Sequence, residues 1–239
     1  MRIYYVIGKD GAGKTTLTSI MAYNLFLRNH QVAIVDLTDS GKGYFFRFGA
    51  CDFFALGDGS VNIPRKLLVT LQDIGISMHA EPELCLHSLP LMPGLKICCT
   101  APDTPEKKIA LATSFLEIYR QSFNIAFVEM TPPLQFTNKI NKEDRVLVIC
   151  SDTQDDWVQR DEQLMSIHTV NPEQVKVILN RQKDSIIAAT RFVKNNKLGV
   201  DYILDSDQEV LANSTVMELC KKMKHSRFLK QLVPIIYCL

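Results

Sequence analysis

One run near the N-terminus constrains this chain more than any other. Gly8-Lys9-Asp10-Gly11-Ala12-Gly13-Lys14-Thr15-Thr16 holds a glycine, four residues, then Gly-Lys-Thr, the spacing of a phosphate-cradling loop. Ahead of it, Ile3 to Ile7 is β-branched and aromatic and reads as a buried strand. Behind it, Thr15 to Asn29 carries Leu17, Ile20, Met21 and Leu25 at helical spacing. Strand, glycine turn and helix, in that order, are the context such a loop requires. Gly11 and Gly13 can take backbone angles closed to other residues. Successive amides can then converge on phosphate oxygens, and the helix N-terminus adds its partial positive charge. Lys14 is placed to reach the β- and γ-phosphates, and the Thr15 hydroxyl to ligate Mg²⁺.

Lys9, directly after Gly8, makes the loop resemble the deviant Walker A of the MinD/ParA family of P-loop ATPases, which read Gly-Lys-Gly-Gly-x-Gly-Lys-Thr-Thr. The resemblance implies ATP and Mg²⁺ held by Gly8, Lys9, Asp10, Gly11, Ala12, Gly13, Lys14, Thr15 and Thr16. It also implies an ATP-sandwich homodimer in which Lys9 touches the nucleotide of the other subunit, with Lys9 and Lys14 catalytic. One position departs: Asp10 stands where the family has glycine. A carboxylate there repels a triphosphate unless it points outward.

A chain of 239 residues with a 46% apolar share supports a sizeable core, and the reading is one nucleotide-binding domain over 1–239. The formal net charge of +1 excludes the overall basic field of a dedicated nucleic-acid binder. Seven cysteines without a Cys-x-x-Cys pair argue against a disulfide framework or zinc site and for a reduced, cytoplasmic home. An N-terminus running straight into a strand leaves no room for a signal peptide. No apolar run approaches the roughly 20 residues of a membrane span. The five histidines, Trp157 and the adjacent Cys98-Cys99 show no ligand or triad spacing and read as structural.

Strand-like runs recur with helical stretches between them. Strands are expected at Val32 to Asp36, Lys96 to Thr100, Ile125 to Glu129, Arg145 to Cys150, Val175 to Leu179 and Val200 to Leu204. Helices are expected from Pro105 to about Ser122, from near Thr153, over Ser185 to Asn196, and from about Thr215 to Leu232, stopped by Pro234. The fold class is therefore α/β, a mostly parallel sheet with helices on both faces, and ligands belong at the carboxyl ends of its strands. The segment 44–94 is divergent. Phe45, Phe46, Phe48, Phe53 and Phe54 lie there among glycines, with a helix near Arg65 to Ile74; the aromatics read either as a hydrophobic minicore or as a dimer or partner surface.

Four further stretches resemble family signatures. Val32 to Gly41 resembles a strand ending in Asp-x-Asp-Pro-x-Gly. Asp36 matches the carboxylate that helps position Mg²⁺, but Thr38 occupies the place of the one that orients the attacking water. Threonine cannot do that work as a carboxylate does, and Asp39, one residue on, substitutes only if the loop shifts register. Phe123 to Pro133 resembles the Walker B region, where two registers compete. Counting from the strand gives Glu129 as the metal-side carboxylate, and counting back from Pro132-Pro133 gives Met130, which could not serve. Val175 to Arg181 resembles the family strand ending in Asn-Arg, which implies that Asn180 reads the adenine edge with its donor and acceptor, beside Arg181. Leu204 to Val210 resembles the loop beside the base and brings in Asp207, with Asp205 where the family has proline.

Near the C-terminus, Lys221, Lys222, Lys224, Arg227 and Lys230 are interleaved with Leu219, Met223, Phe228, Leu229, Leu232 and Val233. Such a basic amphipathic helix suits a packed surface element, an anionic membrane face or DNA phosphates. Phe228-Leu-Lys-Gln-Leu232 also resembles the short membrane-targeting tail of MinD, which would place the protein peripherally at the inner membrane face. The resemblance as a whole implies a slow Mg²⁺-dependent ATPase that dimerises on ATP and acts as a positioning or assembly switch on a further protein partner. A non-hydrolysing nucleotide-binding scaffold, and a biosynthetic or metal-delivery enzyme on the same fold, remain open alternatives.

Overall fold

The computed structural model describes residues 1–38, 44, 47, 48, 88, 89, 92–99, 105–130, 140–151, 160, 164, 167, 170–182, 199–205, 207, 215, 216 and 227–238. Among them, strands and longer helices follow one another along the chain, with a 3-10 turn at Pro172–Gln174 before the seventh strand. The strands and longer helices are β1 (Arg2–Gly8), α1 (Lys14–Phe26), β2 (Val32–Asp36), β3 (Ser88–Leu89), β4 (Met92–Cys99), α2 (Pro105–Ile118), β5 (Ile125–Glu129), β6 (Arg145–Cys150), β7 (Val175–Gln182), β8 (Tyr202–Asp205) and α3 (Arg227–Cys238). The strands form one sheet in the order β3-β4-β2-β5-β1-β6-β7-β8. Every neighbouring pair is parallel except β3 with β4. The expected mostly parallel sheet is thus present, with a short antiparallel edge strand that the sequence did not signal.

The strands read as continuous apolar runs because both faces of the sheet are covered. Alternate residues point to opposite faces, and two cores result. Tyr4, Val6, Ile34, Phe127 and Ile149 pack with Leu17, Ile20 and Met21 of α1 and with Phe228, Leu232 and Ile235 of α3. Ile3, Ile7, Val35, Val128 and Val148 pack on the other side with Ala112, Phe115 and Leu116 of α2. Fully burying a Val, Leu, Ile, Phe or Met side chain among these contributes about 1.5–3 kcal/mol of transfer free energy.

Register decides what lies at the carboxyl ends. Asp36 pairs with Glu129 across β2 and β5, and Gly8 pairs with Ile149 across β1 and β6. β1, carrying the glycine loop, therefore emerges in mid-sheet with the Glu129 strand on one side. At the opposite end the buried Asp144 accepts from the Ile3 and Asn141 amides at 3.1 and 2.9 Å and fixes the entry of β1.

One helix departs from expectation. Pro234 does not stop the last helix; α3 runs through it to Cys238. A proline inside a helix removes one backbone hydrogen bond and crowds the preceding turn. Here the residues beyond it, Ile235 and Ile236, are buried in the α1-side core, and that burial offsets the lost bond. The same packing occupies the apolar face of α3, with Phe228 and Leu232 both buried and Arg227 and Lys230 exposed. The helices expected near Thr153, over Arg65 to Ile74 and over Ser185 to Asn196 lie outside the described residues, as do Phe45, Phe46, Phe53 and Phe54. Of that aromatic group, Phe48 joins the core beneath α1.

Candidate functional site

The loop between β1 and α1 has the geometry its glycines allow. Gly8, Gly11 and Gly13 have φ of 155°, 85° and 97°. Gly8 has a second reason to be glycine: a Cβ there would lie 2.3 Å from the Ile149 carbonyl oxygen of the neighbouring strand. Gly13 is the N-cap of α1, with no side-chain cap and no acidic residue in the first turn. Amides at a helix start without such a cap are suited to an anion.

Lys14 is almost wholly buried and curls back over the loop. Its ammonium donates to the Gly8 carbonyl at 2.9 Å and the Lys9 carbonyl at 3.1 Å, and lies 3.4 Å from the Asp10 carboxylate. Asp10 itself is 84% exposed, but one of its carboxylate oxygens lies against the Lys14 ammonium, so its negative charge stays beside the loop. Lys9 is half-buried beside it.

The carboxyl ends of β2 and β5 bring two carboxylates to the start of α1. The Thr15 hydroxyl donates to Glu129 Oε1 at 2.9 Å. Met130 is buried among the α2-side residues, and its amide donates to the Val6 carbonyl. In the folded chain the acid next to Thr15 is thus Glu129. Asp36 accepts from the Thr38 amide at 2.9 Å and from the Thr38 hydroxyl at 2.6 Å, so the Thr38 hydroxyl is turned inward to Asp36. Asp39 lies outside the described residues.

Burial first, then the neighbouring charge of Asp36, pushes the Glu129 carboxyl up to about 7; bonds from Tyr44 and Thr15 and the charge of Lys14 oppose this. Burial also raises Asp36, against its bonds from Thr38 and the charges of Lys14 and Lys108. Two buried carboxylates side by side want a cation. Mg²⁺ fits this donor set, with a threonine hydroxyl and two carboxylates of which few need be direct ligands, since the ion keeps several waters and is shared with phosphates. Among the described residues no cluster of three His, Cys, Asp or Glu forms a self-sufficient metal cage.

Several contacts had no signal in the sequence. Tyr44, fully buried, donates its hydroxyl to Glu129 Oε2. Arg47 donates to Thr16 Oγ1 at 2.8 Å. The buried Lys108 of α2 donates to the Leu37 carbonyl at 3.3 Å, one residue from Asp36. Each joins segments far apart in the chain, which periodicity cannot show.

Asn180, buried at the end of β7, donates its amide to the Ala12 carbonyl at 2.9 Å, so it sits against the loop. Asp207 is half-buried, and the Arg181 side chain lies outside the described residues. Among the described residues no helix is long and apolar enough to cross a membrane.

Neither a protein-family model nor a curated protein sequence matches the chain. Solved structures do. A ParA family ATPase from Chlorobium tepidum superposes with a TM-score of 0.67 at 17% identity, covering 100% of this chain and 99% of that one. The MinD cell division protein of Aquifex aeolicus gives 0.72 at 14% identity, covering 100% and 98%. The ATP complex of a Cyanothece McdA variant gives 0.60 at 15%, covering 99% and 95%. With the loop, the sheet order and the paired strand-end carboxylates already in place, these likenesses give the chain the P-loop fold of the ParA and MinD ATPases.

Proposed function

We propose that this protein binds ATP with Mg²⁺ and is a slow ATPase that dimerises on ATP, acting as a positioning or assembly switch. The observation that carries the reading is the joined set at the start of α1. Three positive-φ glycines, an uncapped helix N-terminus, Lys14 folded onto the loop and Thr15 bonded to Glu129 meet at one point. That the Cyanothece McdA neighbour was solved as an ATP complex agrees with it.

In this reading the loop amides and Lys14 neutralise the phosphates. Lys14 exchanges its bonds to the Gly8 and Lys9 carbonyls for phosphate oxygens. Thr15, with Asp36 and Glu129 behind it, holds Mg²⁺, which when bound supplies the positive charge that lets both carboxylates ionise. Lys9 provides the second lysine, from the partner subunit. Asn180, already against the loop, keeps one N–H and its oxygen for the base edge, with Arg181 next to it in the chain and Asp207 just after β8. ATP favours the dimer and ADP does not, so the hydrolysis rate sets its lifetime. Contact with a membrane or DNA would use the basic stretch, of which Arg227 and Lys230 are exposed while the apolar face of α3 packs in the core; Lys221, Lys222 and Lys224 lie outside the described residues.

A second reading, nucleotide binding without turnover, is favoured by one observation: Thr38 replaces a water-orienting carboxylate, and its hydroxyl is committed to Asp36. Isothermal titration with ATP and Mg²⁺ beside Lys14→Ala tests the first reading, and phosphate release separates the two. Binding lost in the variant supports the loop as the site; equal phosphate release by wild type and variant leaves only the scaffold.

A further inference from the structure

Both oxygens of Glu129 are engaged, and the second engagement is unexplained by the nucleotide reading on which this inference rests. Oε1 accepts from Thr15 at 2.9 Å, and Oε2 accepts from the Tyr44 hydroxyl. Tyr44 has no exposed surface and belongs to the same core as α1. It opens a helical turn that the Phe48 amide closes onto the Tyr44 carbonyl at 2.9 Å. On that turn Arg47 donates to Thr16 Oγ1 at 2.8 Å. One turn of chain therefore reaches both threonines at the start of α1, Thr16 directly and Thr15 through Glu129.

A carboxylate held at one oxygen can still rotate about its last torsion, which is a soft one. Held at both, its plane is fixed. Groups that orient metal-side carboxylates in this way influence the metal without touching it. We propose that Tyr44 is a positioning residue for the divalent cation, holding the far oxygen of Glu129 so that the near one stays with the Thr15 hydroxyl as a prepared pair. Arg47 anchors the turn from which Tyr44 does this. A tyrosine that merely filled the core would be replaceable by phenylalanine at no cost to the metal.

Tyr44→Phe tests this, since it removes the hydroxyl and keeps the ring. The probe is Mn²⁺, its free concentration followed by EPR in protein with ATP, beside ATP affinity measured in EDTA. Mn²⁺ affinity is expected to fall about tenfold or more, with ATP affinity in EDTA unchanged. Equal Mn²⁺ affinity in the two proteins overturns the proposal, and so does an equal loss of ATP affinity in EDTA, which marks a structural role. Wild-type protein that binds no ATP removes the nucleotide reading instead. The Tyr44 assignment is then decided by Mn²⁺ alone, whose effect on the melting temperature must be larger in wild type than in the variant; equal effects end it. If the variant does not fold, meta-fluorotyrosine placed at position 44 keeps the hydroxyl. Its fluorine resonance must move on adding Mg²⁺, and a stationary resonance overturns the assignment.

Discussion

Glu129 and Asp36 stand in register at the ends of β5 and β2, and their burial makes the metal-free site sensitive to pH. The folded-state Glu129 carboxyl sits at about 7, above its ordinary 4.5. Between those values the folded chain holds a proton that the unfolded chain releases, so stability falls as pH rises. The loss is complete above the folded value and is on the order of 3 kcal/mol. Asp36, also raised, adds in the same direction. Urea titrations from about pH 5 to about pH 8 without metal should show this slope, and Glu129→Gln should flatten it. A slope unchanged in the variant would place the titrating group elsewhere. At Gly8, where a methyl group would meet the Ile149 carbonyl at 2.3 Å, Gly8→Ala should cost about 2–4 kcal/mol, read as a lowered melting temperature. Lys14→Ala removes a buried cation that is folded onto the loop. ATP affinity by titration calorimetry should drop about 100-fold or more.

Among the elements, α3 offers the sharpest contrast between pattern and packing. Leu232 is fully buried on α3, the helix that packs on α1 and β8, so Leu232→Ala should destabilise by about 2–5 kcal/mol in urea unfolding. Pro234 is exposed and breaks the helix ladder without contributing to the core, so Pro234→Ala should stabilise by about 1–3 kcal/mol. The spacing of Phe228, Leu229 and Leu232 marks this helix in the sequence, whereas Pro234 reads there as a stop because the burial of Ile235 and Ile236 that carries the helix past it is a tertiary effect. The strands were legible for the opposite reason. In a sheet covered on both faces the strands read as near-continuous apolar runs, so Val32 to Asp36 and Ile125 to Glu129, apolar up to their final carboxylates, announce themselves. The competing registers at Glu129 and Met130 were not resolvable from spacing alone; the parallel pairing of β5 with β1 and β2 puts Glu129 beside Thr15 and Met130 in the opposite core. Tyr44, Arg47 and Lys108 left no trace in the pattern, since each acts through contacts with distant segments, which periodicity does not encode. The two-residue β3 was too short to carry a period.

For the molecule as a whole, the order of the sheet sets what a second copy can meet. β1 lies in mid-sheet, so its loop opens at the centre of the carboxyl edge, flanked by Glu129 on one side and by β6 and β7 on the other. In the proposed face-to-face dimer, Lys9, half-buried beside the loop, is the lysine that would cross to the other subunit. Lys9→Ala should therefore keep ATP binding and lose ATP-dependent dimerisation, measured by light scattering with and without nucleotide; a variant that still dimerises would leave the sandwich arrangement without support. The bond from Asn180 to the Ala12 carbonyl spans 168 residues of chain and ties the far strand to the cradle. In the proposed complex, a purine held by that carboxamide would also tug on the peptide of the phosphate loop. Discrimination between bases and grip on the phosphate tail would then be mechanically one event, felt together by any analogue that alters either end.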